Sequence, residues 1–513
     1  MLAIFDVEGV LYDAEYLPLL AEKVNKENKI WEITKKATQE ARNRAMEKFT
    51  ELNKKDFMYF RTLHSLAYKQ LNLTKNDVMG DSHYKELSSL LSIKLGNTNK
   101  KTDVFGVGMQ DDVFAQIIDI AKARNISLKQ QFQESGHLEG GWIKLKYIAD
   151  GIDKYKEHRN LRDFTDMIIE FSAKVESNAF DEIRPDFDAL IIDEAQDLLP
   201  VQWKMVKLLM EKSKRVYIAG DDDQSIFRWA GANPEDLIGL KGERYFLDQS
   251  HRIPKKIHMA AISLINRVDN RIPKIWNPRE EEGDLQFHNR REAVYQKIDQ
   301  NNGSWLIMTR DKYTLEQISN DLRQRGLFFS YFGTPSVSAK KLKAINAWTN
   351  LAQRDKAITL DEVKSIYHYL SIRVGVEYGH KGMPDADPEL TYDYETLVIR
   401  HGLMIPQKKL WHEALDKMPM NDTVYIIAAL RRQQNLNRKP RINISTIHGA
   451  KGGEADNVML LTDMPRKADD AYFENKIKKD DERRVFYVGM TRAKKELHIV
   501  HSQSDREFRE VFH

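Results

Sequence analysis

The 513-residue chain contains no cysteine. That excludes disulfides and thiolate metal sites, and it fits a reducing, cytoplasmic setting. No apolar run reaches the roughly 18 residues that a membrane span requires. The first residues lack the basic start and apolar middle of a secretory signal. An excess of one charge is also missing. The formal net charge is +3, so a nucleic-acid surface must come from local basic clusters and not from bulk charge. A last absence concerns glycine. No Gly-x-x-x-x-Gly-Lys-Ser/Thr loop occurs anywhere in the sequence, which removes the usual backbone cradle for a triphosphate.

What is present is a soluble composition, 41% hydrophobic and 31% charged. The length exceeds what one compact core accommodates, so several domains are expected. Apolar runs that read as buried strands occur at Leu2–Phe5, Ala189–Ile192, Val216–Ala219, Trp305–Met308, Ile442–Thr446, Asn457–Leu461 and Leu497–Val500. Phe57–Phe60 reads as a further strand, and helical patterns run from about Tyr16 to Lys36 and on to about Leu52. The strand–helix–strand spacing predicts parallel sheets with crossover helices. The expected fold is α/β: two parallel-sheet cores, each interrupted by a mostly helical insertion, at about 78–185 and about 336–437.

Five stations carry chemistry. Asp193-Glu194-Ala195-Gln196-Asp197 follows the apolar run Ala189–Ile192 directly. A buried strand ending in two adjacent carboxylates suits a hard cation: Asp193 to hold magnesium, Glu194 to polarise an attacking water. Acids favoured by a helix N-terminus are the plainer alternative. Gly220–Ala232 follows the next strand; its Gln224 is able to report a γ-phosphate, since an amide both donates and accepts. Phe227 and Trp229, two apart, are either base-stacking platforms or core. Gln249–Arg252 is the third station. In the fourth, Ile442–Glu454, a strand enters a glycine-rich turn suited to phosphate and sugar hydroxyls. The fifth, Glu482–Ala493, holds Arg492, an arginine finger or a surface ion-pair partner.

In order and spacing these stations resemble the UvrD/Rep-type branch of superfamily 1 DNA helicases. Ala37–Asn43, Phe60–Tyr68 and Asp163–Met167 are similar to further family motifs, so the likeness covers roughly residues 37–513. The resemblance implies two RecA-like cores, at 37–250 and 251–513, the second with a reduced insert. It implies ATP and Mg2+ as cofactors, and single-stranded DNA and duplex/single-strand junctions as partners, with 3′ to 5′ movement. By the same likeness Asp193 and Glu194 serve the metal and the water. Gln224 senses the γ-phosphate, Arg252 and Arg492 stabilise the phosphoryl transition state, and Gly452 and Glu454 meet the nucleotide. Thr62, His64, Phe227, Trp229, Thr446 and His448 line the DNA track.

Residues 1–36 depart from that pattern. Met1–Pro18 resembles the start of haloacid-dehalogenase-type phosphatases, with Asp6 in the place of the nucleophile and Glu8 in the place of the second acid. The other residues that such a phosphatase needs do not follow. The segment is therefore expected to fill a strand position without restoring phosphate binding. Its carboxylates would oppose a triphosphate, because like charges at about 4 Å repel by about 1 kcal/mol in water and about 4 kcal/mol at intermediate dielectric. Two readings stay open: a DNA helicase or translocase impaired in ATP hydrolysis, and a single-stranded DNA-binding protein without ATPase activity.

Overall fold

The computed structural model describes residues 62–93, 112–136, 141–177, 187–300, 303–383 and 386–512, and the backbone of strands at 2–5 and 30–34. In chain order the strands are β1 (Leu2–Phe5), β2 (Ile30–Thr34), β3 (Ala189–Asp193), β4 (Val216–Ala219), β5 (Glu243–Phe246), β6 (Asp284–His288) and β7 (Trp305–Thr309). Then come β8 (Phe329–Tyr331), β9 (Thr334–Pro335), β10 (Ala357–Thr359), β11 (Thr391–Asp393), β12 (Ile442–Thr446), β13 (Ala455–Leu461) and β14 (Ala493–Val500).

The chain divides into two compact units. The first comprises Met1–Arg290, Ile447–Glu454 and Thr462–His513; the second comprises Arg291–Thr446 and Ala455–Leu461. The division falls after Arg290 because β14 pairs in parallel with β6 and the helix Lys476–Met490 packs on the helix Lys255–Ile265.

The first unit holds a parallel sheet in the order β2-β3-β4-β1-β5. Every residue of β3 and β4 is buried, as a parallel sheet covered on both faces requires. The crossover between them is the helix Pro200–Glu211, which opens with proline at its first position, where the missing N–H costs nothing. Its Trp203, Val206 and Leu209 pack with Leu190, Ile192 and Ile218 of the sheet and with Ile168 and Phe171. β1 lies between β4 and β5 and is parallel to both, with Leu2 opposite Tyr217 and Phe5 opposite Phe246. The expected strand position is thus filled at the level of the backbone; Asp6 and Glu8 lie outside the described residues.

Two readings change. The pattern from Tyr16 to Lys36 is not helical throughout, since Ile30–Thr34 is strand β2, paired with β3 from Ile30↔Ala189 to Thr34↔Asp193. The β-branched and aromatic run Ile-Trp-Glu-Ile-Thr explains this: it favours a pleated surface over a helix. The helical insert also closes earlier than residue 185. The helices Asp81–Leu90, Asp112–Arg124 and Gly141–Arg159 share a separate core of Leu87, Phe114, Ile118, Leu145 and Ile148. The helix Phe164–Glu176 belongs instead to the core of the sheet. Its start is a capping box, in which Asp163 and Asp166 each accept the other's backbone N–H. The expected strand at Phe57–Phe60 and the motif Ala37–Asn43 lie outside the described residues.

In the second unit the strand order is β13-β7-β12-β8-β9, with β7 parallel to both β12 and β13. Its insert is helical as expected, with Ala339–Leu351, Leu360–His368, Tyr394–His401 and Met420–Arg431, plus the antiparallel pair β10–β11.

Candidate active site

The site is built at the carboxyl ends of β3 and β4, where open α/β sheets place their ligands. Asp193 ends β3 and is buried. Its Oδ1 accepts the Glu194 backbone N–H at 2.8 Å. Glu194 itself is left-handed, φ 53° and ψ 39°. A non-glycine residue there costs about 1–2 kcal/mol, a strain found where geometry serves a site. The bend turns the chain into a short 3-10 turn, Ala195–Asp197.

Gln196 ties the two strand ends together. Its Nε2 donates to Glu194 Oε2 at 2.7 Å and its Oε1 accepts from the Asp221 N–H at 3.0 Å. Glycine at 220 leaves room for this bridge, because a Cβ there would meet Gln196 Oε1 at 2.6 Å and displace it. Past it, Gln224 is buried and donates from Nε2 to Asp221 Oδ2 at 2.9 Å. Its Oε1 accepts from Arg492 Nη2 at 3.2 Å. Arg492 is also buried, anchored by Nε on the Val488 carbonyl at 2.9 Å.

Lys451, from the glycine-rich turn, enters the same space. Its Nζ donates to Asp197 Oδ1 at 2.8 Å and to the Gln224 carbonyl at 2.7 Å, and lies 3.7 Å from Glu194 Oε2. Beside it Gly452 adopts φ +80° with open space around it. Glu454 pairs with Arg252 at 3.7 Å and with Lys494. Burial raises the Glu454 carboxyl, but Lys494, Arg252 and Arg492 outweigh it and hold the group below the usual range.

The structure therefore brings together Asp193, Glu194, Gln224, Arg252, Gly452, Glu454 and Arg492 within one unit. Gln196, Lys451, Asp221 and Lys274 were missed as site residues. Gln196, Asp221 and Lys451 stood inside the stations, and their burial is what the sequence did not reveal.

The aromatic candidates divide. Phe227, half-buried, lies 6.2 Å from Trp229 and 6.0 Å from His448, with Lys451 Nζ 5.4 Å from its ring centre. Neither Phe227 nor Trp229 is core. Thr62 caps the helix Leu63–Gln70 by accepting from Ser65 N–H at 3.1 Å, and His64 meets Phe164 edge-on at 5.8 Å. Thr446 is buried at the end of β12, in the second unit.

Among known families, residues 14–243 match the UvrD/REP helicase N-terminal domain and residues 411–504 match the UvrD-like helicase C-terminal domain. The chain belongs to the UvrD/Rep helicase family. The first match begins inside the segment that departs from the family pattern. Among curated relatives, the chain is 25% identical to ATP-dependent DNA helicase Rep of Buchnera aphidicola, over 46% of this chain and 37% of that protein. It is 24% identical to the probable DNA helicase II homolog of Rickettsia felis, over 82% and 79%. With ATP-dependent DNA helicase PcrA of Leuconostoc citreum it shares 26% over 48% and 33%. The chain thus matches about a third of the Rep and PcrA relatives and most of the Rickettsia one.

The donor set fits the cofactors such a family uses. Asp193 and Glu194 offer hard oxygen ligands, and Mg2+ takes one or two carboxylates with the rest from phosphates and water. Arg252, Lys451 and Arg492 supply buried positive charge suited to phosphate oxygens. Among the described residues no helix is long and apolar enough to cross a membrane.

Proposed function

We propose that this chain is an ATP-dependent DNA helicase or translocase of the UvrD type, moving 3′ to 5′ on single-stranded DNA and engaging duplex/single-strand junctions, in DNA repair or replication. The observation that carries this reading is the continuous network Glu194–Gln196–Asp221–Gln224–Arg492, closed by Lys451. It joins, in this reading, the carboxylate that acts as general base to the amide and the guanidinium that meet a terminal phosphate. In this reading Asp193 holds Mg2+, which neutralises phosphate charge when bound. Glu194 takes the proton of the attacking water. Gln224 contacts the γ-phosphate and Arg492 and Arg252 stabilise the charge that builds on it, a division of labour expected of phosphoryl transfer. Gly452 and Glu454 meet the sugar side of the nucleotide. Phe227, Trp229 and His448 form a stacking surface for bases, and Thr62 and His64 in the first unit and Thr446 in the second are assigned further contacts to DNA. The cores expected at 37–250 and 251–513 are replaced in this reading by the two units of the fold, since β1 lies in the first sheet and residues 251–290 and 462–513 belong to the first unit.

A second reading has its own support in the missing phosphate loop: a chain that keeps the DNA track and has lost the motor. Unwinding assays on duplexes with a 3′ or a 5′ single-stranded tail separate the two. ATP-dependent unwinding of the 3′-tailed duplex alone supports the first reading. Binding of both tails with no unwinding of either supports the second.

A further inference from the structure

The loop Asp221–Gln224 rests on a buried cluster that the roles above do not use. Lys274 Nζ lies 2.5 Å from Asp221 Oδ1, 2.5 Å from Asp222 Oδ1 and 3.1 Å from Asp223 Oδ2, with its side chain 1% exposed. Each carboxylate has a second task. Asp222 Oδ2 accepts the Ile272 N–H at 2.8 Å. Asp223 receives the Arg271 fork at 2.8 and 2.6 Å. Asp221 alone of the three turns its other oxygen, Oδ2, to the Gln224 amide at 2.9 Å.

We propose that Asp221, held by Lys274, is a positioning residue that fixes which way round the Gln224 carboxamide sits. This rests on the reading of Gln224 and Arg492 as contacts to the γ-phosphate. An ionised carboxylate only accepts hydrogen bonds, so it selects the NH2 end of the amide. The amide oxygen is then turned to Arg492, where the structure has it at 3.2 Å. Arg492, which only donates, favours the same orientation, so without the Asp221 acceptor one of these two constraints on the amide is lost. Lys274 keeps Asp221 in its accepting form. Burial pushes the Asp221 carboxyl up, to about 6, against the pull of Lys274, with Asp223 and Asp222 adding to the rise. Lys274 is held protonated by the same three carboxylates, which outweigh its burial. Without its charge Asp221 would keep the Gln224 amide and Asp223 would keep Arg271, but Asp221 and Asp222 would lose the cation that they share.

The test is a double-mutant cycle on the full chain with Asp221→Asn and Gln224→Ala, followed by DNA-stimulated ATP turnover and by thermal unfolding. Asp221→Asn is near-isosteric and preserves packing. It is expected to lower kcat roughly ten- to a hundredfold, with the KM for ATP changed less than about twofold. In the Gln224→Ala background the same change should add little, because its target is gone. Lys274→Met should behave as Asp221→Asn does, and Lys274→Arg should restore most of the rate. Equal losses from Asp221→Asn in both backgrounds, or no loss in either, overturn the proposal. If the unaltered chain turns over no ATP, the functional reading fails and the cycle is read from the melting temperature alone. There, non-additive shifts support the Asp221–Gln224 link and additive shifts overturn it.

Discussion

The two units bury their polar groups differently. In the first unit the buried set includes Asp193, Asp197, Asp221, Asp222, Asp223, Lys274, Lys451, Arg484 and Arg492. In the second it is Thr309, Thr314, Ser330, Ser365, His401, Thr423, Ser445, Thr446 and Asn457, with Arg310 the one buried Asp, Glu, Lys or Arg among the described residues there. Neutral hydroxyls are satisfied cheaply by nearby carbonyls. Buried charges carry a desolvation cost of several kcal/mol each, which partners only partly return. A parallel sheet can be built without them, as the second unit demonstrates. Their concentration at the ends of β3 and β4 therefore marks where the molecule departs from the cheapest fold, and such departures fall at functional sites.

This contrast can be broken from either side. The largest effect is expected in turnover: Glu194→Gln should lower DNA-stimulated ATP hydrolysis by roughly 100- to 10,000-fold while leaving the melting temperature unchanged. A mutant that keeps near-normal turnover would remove Glu194 from the chemistry. Next, apolar packing should dominate the second unit. Trp348 is fully buried and donates Nε1 to the Lys409 carbonyl at 2.8 Å, so Trp348→Ala should cost about 3–5 kcal/mol in chemical denaturation. A loss below about 1 kcal/mol would mean that this core tolerates the cavity. Third, Trp229→Ala should weaken single-stranded DNA binding by about 1–3 kcal/mol if the ring stacks on a base, and binding should weaken as salt rises. Unchanged affinity with an intact fold would place the DNA elsewhere.

The smallest effect concerns acid. Burial raises the Glu510 carboxyl, but Arg483, at 2.8 and 3.1 Å, and the Tyr472 hydroxyl outweigh it, and the group falls from its ordinary 4.5 to about 2. A carboxyl depressed in the folded state adds stability that is fully present above pH 4.5 and is lost as pH falls toward about 2. Glu510→Gln should flatten that part of the stability curve. An identical acid profile in the mutant would assign the loss to other carboxylates, Asp163 among them, whose burial is outweighed by Lys122 and Lys156.

Much of this was legible in the sequence, and the reasons differ by region. β3, β4 and β7 are nearly continuous apolar runs of the kind that a buried parallel strand demands, β12 alternates isoleucine with polar residues, and all were placed to within a residue. β5 escaped notice because Glu-Arg-Tyr-Phe is an exposed edge strand with no apolar signature. β2 was hidden inside a longer amphipathic pattern. The stations at Asp193–Asp197 and Gly220–Gln224 were visible because each follows its strand directly. Lys274 and Lys451 were not visible as site residues. They meet partners 53 and 254 positions away, and nothing local distinguishes a lysine that will be buried from one on the surface.

The most direct measurement is ATP hydrolysis by the full chain, with and without single-stranded DNA, beside Glu194→Gln. The account predicts turnover that DNA stimulates and the mutation abolishes. Absence of turnover with DNA binding retained would contradict it, and would mean that the network at the ends of β3 and β4 persists in a chain that no longer runs as a motor.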